Sequence, residues 1–191
     1  MPIEDVLFMH IAKTGGTSLV DIFGLRAVAN TLVTEGRVYF YHKTVPIVRN
    51  FCLMDTLWFN RAFKFTFIRD PYERAASHYH WCKKNNKWDV GPRTTFLDYC
   101  HTSMKTYRHH GPQVMYFEAI EFDFVGRFEN FNEDVLKLAQ MLGDPKPTIK
   151  HLNKSDRPRD YRETYCPESK KIVEDFYAED FERLNYQLES F

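Results

Sequence analysis

Two short segments of the sequence combine residue types that bind phosphate or sulfate groups. The first is the run His10-Ile11-Ala12-Lys13-Thr14-Gly15-Gly16-Thr17-Ser18, which separates two apolar stretches. A strand that ends in a glycine turn and opens a helix directs backbone N–H groups at an anion, and the helix dipole adds to the attraction. Lys13 adds a mobile positive charge, and the hydroxyls of Thr17 and Ser18 add donors. The alternative is a plain turn between a strand and a helix.

The order of residues in this first segment differs from that of a Walker A motif. There the lysine follows the last glycine and precedes Ser or Thr, whereas Lys13 precedes both Gly15 and Gly16. The two glycines allow the backbone to approach an oxyanion without a Cβ atom in the way. We find no Asp or Glu placed after a strand to hold Mg²⁺ beside this segment, as phosphoryl-transfer enzymes require.

The second segment is Phe67-Ile68-Arg69-Asp70-Pro71-Tyr72-Glu73-Arg74-Ala75-Ala76-Ser77. Arg69 follows a buried-strand pattern, where an unpaired guanidinium is costly but one that binds phosphate is well placed. Asp70 and Pro71 predict a helix start, and Ser77 lies about two turns into that helix. Arg69 and Ser77 could therefore hold one phosphate. The alternative is that Arg69 pairs with a carboxylate and Ser77 faces water.

The elements that must position these segments alternate along the chain. The hydrophobic pattern predicts strands at residues 6–11, 38–41, 63–68 and 122–125. It predicts helices after residues 17–18 and at residues 70–83, 96–107, 131–142 and 167–185. Strands alternating with helices predict an α/β fold with a central parallel sheet flanked by helices, in a single domain of residues 1–191. Ligands bind at the carboxyl ends of the strands in such folds.

Composition narrows the classes of partner. The chain has 26 Lys and Arg against 26 Asp and Glu, so its formal net charge is zero and we expect neither a nucleic acid nor an anionic membrane as partner. No stretch approaches the roughly 18 apolar residues of a membrane span, and no basic segment precedes an apolar run as in a signal peptide. The four cysteines show no metal-ligand spacing.

Two anion sites on neighbouring strand ends are typical of a protein that binds a nucleotide with phosphate at two positions. The turn at residues 13–18 resembles the 5′-phosphosulfate loop of sulfotransferases that use 3′-phosphoadenosine 5′-phosphosulfate (PAPS), and Arg69 with Ser77 resembles their 3′-phosphate site. The wider pattern is similar to the Golgi-type carbohydrate sulfotransferase family and its small bacterial relatives. Later segments that resemble the family, in its order, are Phe124-Val125-Gly126-Arg127-Phe128-Glu129 and His151-Leu152-Asn153-Lys154-Ser155 with Tyr161 and Tyr165.

The resemblance implies a P-loop-like fold and a defined reaction. It implies transfer of a sulfuryl group from PAPS to a hydroxyl acceptor, with a glycan favoured, 3′,5′-ADP as product and no metal. Lys13 would bond the bridging or leaving oxygen and act in catalysis. The donor-binding residues would be Lys13, Thr14, Gly15, Gly16, Thr17, Ser18, Arg69, Ser77, Asn153, Lys154 and Ser155, the last three in a lid at residues 146–165.

The general base is expected to be a histidine. His42 follows the strand predicted at residues 38–41, and its position resembles that of a family histidine after the second strand. A neutral imidazole near pH 7 suits proton abstraction. The alternative for His42 is an exposed loop histidine. His10 is a rival, expected to be structural, and His109-His110 is expected at the surface. His78 and His80 are expected on different faces of a predicted helix, and none of these histidines shows metal-ligand spacing.

Two other functions remain open at this stage: a magnesium-dependent nucleotide phosphotransferase with a degenerate P-loop, and a module that binds a nucleotide without catalysis. The sequence predicts a cytoplasmic protein if the chain is full length, and a Golgi-luminal one if it is a trimmed form of an anchored enzyme. It makes no prediction of the oligomeric state or of disulfide pairing.

Overall fold

The computed structural model describes residues 2–28, 36–41, 56–118, 120–149 and 158–191. The chain divides into two compact units. The sheet unit contains Met1–Ile68 and Met115–Asn153, and the helical unit contains Arg69–Val114 and Lys154–Phe191. None of the helices within the described ranges combines the length and apolar character needed to cross a membrane.

The sheet unit is built on parallel strands. Those in the described residues are β1 (Val6–His10), β2 (Arg26–Ala27), β3 (Arg37–Tyr41), β4 (Phe63–Ile68) and β5 (Phe124–Arg127). They form one sheet in the order β2-β3-β1-β4-β5, and every neighbouring pair is parallel. Met9 of β1 is in register with Phe40 of β3 on one side and Thr66 of β4 on the other. The predicted parallel α/β sheet is therefore confirmed.

The predicted helices occur in the predicted order, and a further helix at Thr56–Arg61 was not predicted. In chain order they are α1 (Gly16–Phe23), α2 (Thr56–Arg61), α3 (Pro71–Asn85), α4 (Phe96–His101), α5 (Ser103–Thr106), α6 (Phe131–Leu142), α7 (Pro167–Phe176) and α8 (Ala178–Arg183). Short 3₁₀ segments occur at Arg108–His110, Gln113–Tyr116, Phe128–Asn130 and Tyr161–Thr164. In the sheet unit, Val135 and Leu138 of α6 pack in one apolar core with Phe8 and Phe65 of the sheet. This packing covers the sheet, as its continuous apolar strands require.

Two helices predicted as single elements are each divided. The helix expected at residues 96–107 breaks at Thr102, whose φ is −116° and ψ −85°, and whose hydroxyl donates to the carbonyl of Asp98 at 2.7 Å. Such local side-chain bonding competes with the helix. The helix expected at residues 167–185 breaks at Tyr177, which is 1% exposed and donates its hydroxyl proton to the His110 carbonyl at 2.5 Å. Tertiary packing of that ring overrides the periodic pattern.

Candidate functional site

The turn after β1 is shaped by backbone that points N–H groups along the axis of α1. Lys13 and Gly15 have left-handed φ values of 69° and 86°. The Gly15 carbonyl accepts from the Ser18 N–H at 3.0 Å and begins the helix. In the described part of the chain, α1 has no side-chain cap and no acidic residue in its first turn. With no acidic residue in this first turn, the start of the helix favours an anion.

Both glycines of the turn lie where no side chain fits. A Cβ atom on Gly15 would lie 2.7 Å from Cε2 of Phe131 and 3.2 Å from Cδ2 of Phe128. A Cβ atom on Gly16 would lie 1.9 Å from Nε2 of His10. The ring of His10 thus packs directly against the first residue of α1, and the two phenylalanines pack against the residue before it. These three aromatic rings therefore set the shape of the turn.

The side chains of the turn divide into buried and accessible groups. Thr14 and Ser18 are 0% and 5% exposed, and the Thr14 hydroxyl donates to the Ile11 carbonyl at 2.9 Å. Thr17 is exposed, and Lys13 is partly exposed. The turn therefore combines an internal bond that rigidifies it with a cationic and a hydroxyl side chain that can reach a ligand.

His10 has the environment of a structural histidine. Its ring is 5% exposed and stacks on Phe8, with centroids 5.4 Å apart. Burial, and secondly the charge of Lys13, lowers the pKa of His10 to about 4. The imidazole is thus neutral at pH 7, and its packing agrees with the structural role expected for it.

The sheet brings the carboxyl end of β1 beside that of β4. The two strands pair in parallel, and the Thr66 hydroxyl donates to the Met9 carbonyl at 2.8 Å. β1 also pairs with β3, on its other side. The glycine turn therefore leaves the sheet at the edge where ligands of open α/β folds bind.

Arg69, the residue that follows β4 along the chain, belongs to the helical unit and is 4% exposed there. Its Nε and Nη2 atoms donate to Oε2 of Glu73 at 3.1 and 2.5 Å. The carboxylate pairing left open by the sequence is therefore present. A guanidinium has five N–H donors, so pairing through two of them is compatible with a phosphate partner. Ser77 is 4% exposed, so the alternative in which it faces water does not hold.

The backbone of Arg69 is held by a network that the sequence analysis missed. Its N–H donates to Oε1 of Gln113 at 2.9 Å, and its carbonyl accepts from Nε2 of the same amide at 2.8 Å. The carboxylate of Asp180, 0% exposed, accepts from the N–H groups of Gln113 and Val114, both at 2.9 Å. Gln113 and Asp180 are far from Arg69 in sequence and no local pattern reveals them. Glu73, four residues after Arg69 on a helix, could have been found by its spacing.

Several predicted residues lie outside the part of the chain that the structure describes. These are His42, Asn153, Lys154 and Ser155, and of the proposed lid only residues 146–149 and 158–165 are described. The expectation that His109-His110 lies at the surface is wrong for His110, which is 0% exposed. Tyr177 binds its carbonyl and Tyr99 lies 3.3 Å from its Nδ1 atom, so aromatic neighbours enclose it.

A parallel sheet with a glycine turn that opens a helix at its carboxyl edge defines a P-loop-like α/β protein. The chain belongs to the sulfotransferase family, whose model matches residues 2–187. The resemblance to a sulfotransferase family that the sequence motifs indicated is therefore confirmed.

Known proteins resemble the chain in sequence and in fold. Human carbohydrate sulfotransferase 9 is 26% identical over 164 aligned residues, which cover 64% of this chain and 37% of that protein. The chain thus spans a little over a third of the length of this relative. The crystal structure of a sulfotransferase from Alicyclobacillus acidocaldarius matches with a TM-score of 0.50 and 15% identity, covering 95% of this chain and 94% of that one. This second likeness supports the fold.

Proposed function

We propose that the protein transfers a sulfuryl group from PAPS to a hydroxyl group, with a carbohydrate as the acceptor. The observation that carries the proposal is the turn at residues 13–18. In a chain of the sulfotransferase family, it combines an uncapped helix start, two glycines with no room for a side chain, and an accessible lysine. The carbohydrate acceptor rests on the name of the human relative.

The first part of the proposal assigns the 5′ end of the donor to the turn. The backbone N–H groups of residues 14–17, with the hydroxyls of Thr17 and Ser18, hold the 5′-phosphate. Gly15 and Gly16 keep Cβ atoms away from it. Lys13 bonds the oxygen that bridges sulfur and phosphorus and stabilises the charge that develops there as the bond breaks.

The second part assigns the 3′-phosphate to Arg69 and Ser77. The guanidinium is buried and already oriented by Glu73, so little side-chain freedom is lost when it bonds a phosphate. Gln113 holds the peptide of Arg69 through both of its polar groups. Preorganisation of this kind favours tight binding of the nucleotide.

The third part concerns the acceptor. His42 removes the proton from the acceptor hydroxyl while its oxygen attacks sulfur. The bond between sulfur and the 5′-phosphate oxygen breaks, leaving a sulfate ester, 3′,5′-ADP and a protonated imidazole that returns its proton to water. Asn153, Lys154 and Ser155 cover the donor as part of a lid at residues 146–165. The reaction needs no metal in this scheme.

Calorimetry with two nucleotides separates this proposal from a magnesium-dependent phosphotransferase. We expect the protein to bind 3′,5′-ADP more tightly than ATP with Mg²⁺, because two anion sites match phosphates at two positions of one nucleoside. Tight binding of ATP with Mg²⁺ and no affinity for 3′,5′-ADP would refute it.

A second assay separates an enzyme from a binding module and identifies the acceptor. ³⁵S-labelled PAPS is offered with a panel of glycans, and label on at least one glycan is expected. Binding of 3′,5′-ADP without transfer to any glycan, tyrosine peptide or small alcohol contradicts the catalytic assignment. Transfer to a tyrosine peptide or small alcohol alone contradicts only the carbohydrate acceptor.

A further inference from the structure

The helical unit contains a buried group of metal-ligating side chains that the sulfotransferase reaction does not use. It consists of His78, Cys82 and His110, here called the His-Cys-His cluster. One ligand atom from each residue lies within 4.8 Å of the other two. The three residues are 3%, 0% and 0% exposed. Two imidazoles and a thiol converge, fully removed from solvent, in a single protein unit.

Local structure explains why these three residues meet. His78 and Cys82 are four residues apart on α3, so they lie on the same face of the helix. His110 ends the 3₁₀ segment Arg108–His110. The imidazole rings of His78 and His110 have centroids only 3.9 Å apart. The cluster therefore joins a helix to a distant turn of the chain.

The hydrogen bonds of His110 leave one ring nitrogen to be explained. Its Nδ1 atom lies 3.3 Å from the Tyr99 hydroxyl. Its Nε2 atom is buried and has no hydrogen-bond partner within the described ranges. A buried polar atom left in this way is destabilising. If Nδ1–H donates to Tyr99, Nε2 presents a lone pair to the cluster, which is the arrangement of metal-bound histidines whose other nitrogen is fixed by a hydrogen bond.

We propose that His78, Cys82 and His110 bind a divalent cation of borderline softness, of which Zn²⁺ is the representative. Thiolate and imidazole are the ligands that zinc prefers in proteins, and sites with three protein ligands take water as the fourth. Zinc bonds of about 2.0–2.3 Å hold ligand atoms roughly 3.5 Å apart, so the cluster closes by about 1 Å when the ion binds.

Charges near the cluster act on a cation in both directions. Binding breaks the S–H bond of Cys82, releases the proton to solvent and forms a thiolate–metal bond, so one negative charge is created beside the ion. The positive charge of Arg74, on the same helix, acts on His110, and the buried Asp180 interacts with Arg74 in turn. Trp88 has its ring centroid 5.4 Å from that of His78 and 5.3 Å from that of His110, so one aromatic ring packs against both imidazoles.

The bound ion would act as a structural link. It ties α3, the helix that begins beside Arg69, to the turn at Arg108–His110, whose carbonyl is bound by Tyr177. The inference does not depend on the identity of the sulfuryl donor or acceptor. A negative result in the nucleotide calorimetry or the sulfate-transfer assay does not argue against the metal site. A negative result in the metal tests does not argue against the proposed function.

The first test measures metal content and ligand type in the full chain without a histidine tag. The protein is dialysed against a chelator, then titrated with Zn²⁺ or Co²⁺ and gel-filtered. We expect one ion per chain, and for Co²⁺ a thiolate charge-transfer band in the near ultraviolet with visible bands of a tetrahedral ion. No retained ion, or a cobalt spectrum without a thiolate band, overturns the proposal.

The second test uses matched variants within the same unit. Cys82→Ser should lose the thiolate band and weaken Zn²⁺ binding by at least the 10- to 100-fold that loss of an outer-shell partner of a metal costs, because a direct ligand is removed. Cys100→Ser alters another fully buried cysteine, and His80→Gln another histidine of α3, whose ring contacts Thr164. Both controls should bind the metal as the parent does. Retention of the band in Cys82→Ser, or its loss in Cys100→Ser, contradicts the assignment.

X-ray absorption at the zinc edge of the parent protein covers the case in which a variant does not fold. One sulfur and two imidazole nitrogen neighbours are expected. A shell made of oxygen and nitrogen alone overturns the proposal.

Discussion

The turn at residues 13–18 and the segment that begins at Arg69 are both proposed to bind a phosphate, but they differ in the groups that shape them. The turn uses backbone groups, and its shape requires glycine. Aromatic rings occupy the space that a Cβ atom on Gly15 or Gly16 would fill. Arg69 relies on side chains that are present: Glu73 orients its guanidinium and Gln113 holds its peptide. We therefore expect added side-chain atoms to disrupt the turn, and removal of side-chain atoms to disrupt the Arg69 segment.

The largest effect should come from the one charged side chain of the turn. Lys13→Ala is expected to lower kcat about 10²–10³-fold, as loss of a donor to a developing oxyanion does. Alanine at this position has the same strained left-handed φ of 69° as the lysine it replaces, so the free energy of unfolding should change little. Turnover with labelled PAPS measures the effect. Lys137→Ala, which removes an exposed lysine of α6, is the control and should retain parental turnover. Unchanged turnover in Lys13→Ala would remove this residue from the mechanism.

Truncation of the guanidinium should weaken donor binding. Arg69→Ala removes charged hydrogen bonds worth about 1.5–3 kcal/mol, so the Kd for 3′,5′-ADP should rise about 10- to 100-fold. The Kd for 5′-AMP, which lacks the 3′-phosphate, should stay within a few-fold of the parent value.

Glu73→Gln is the matched control for this charge. It removes the carboxylate charge from the pair with Arg69 but keeps the guanidinium. Affinity for 3′,5′-ADP should stay within a few-fold of the parent value. If Arg69→Ala binds 3′,5′-ADP as well as the parent does, the 3′-phosphate assignment is wrong.

Addition of one carbon to the turn should destabilise it. Gly16→Ala is expected to lower the free energy of unfolding by about 1–3 kcal/mol, the usual cost of overpacking, because its Cβ would collide with the His10 ring. Urea denaturation measures the change. Gly91→Ala introduces a Cβ that has no atom of the described residues within 4 Å, and it should be neutral or slightly stabilising. Equal stability of Gly16→Ala and the parent would contradict the packing described.

The smallest effect concerns pH. Burial lowers the pKa of His10 to about 4 from the usual 6.5. As the pH falls, the His10 imidazole is therefore protonated in the unfolded chain before it is protonated in the folded one. Stability supported by the neutral ring is complete above pH 6.5 and is lost progressively towards pH 4. His10 should account for a loss of about 1 kcal/mol between pH 7.5 and 5.5 that His10→Gln does not show. Ring ¹⁵N shifts of the parent offer a direct check: a charged His10 at pH 6 would refute the assignment.

Local pattern was sufficient for the parts of the site that lie close together in sequence. The end of β1, the glycine turn and the start of α1 are adjacent, and their conformations follow from apolar runs and glycine. The Asp70 cap is equally local, since its side chain accepts from the Glu73 N–H at 3.0 Å. The strand predicted at residues 122–125 starts at Phe124 instead and runs to Arg127. Its pairing with β4 sets those limits, and pairing is a tertiary property.

The sequence by itself determined the parallel α/β class and the local conformation of the two segments proposed to bind anions, because hydrophobic period, capping and glycine conformation act over a few residues. Only the tertiary structure decided which distant side chains meet. It brought Gln113 and Asp180 to the backbone of Arg69, and His110 to the face of α3 that carries His78 and Cys82. Such contacts depend on how helices and strands pack together, and the spacing of residues along the sequence does not show that packing.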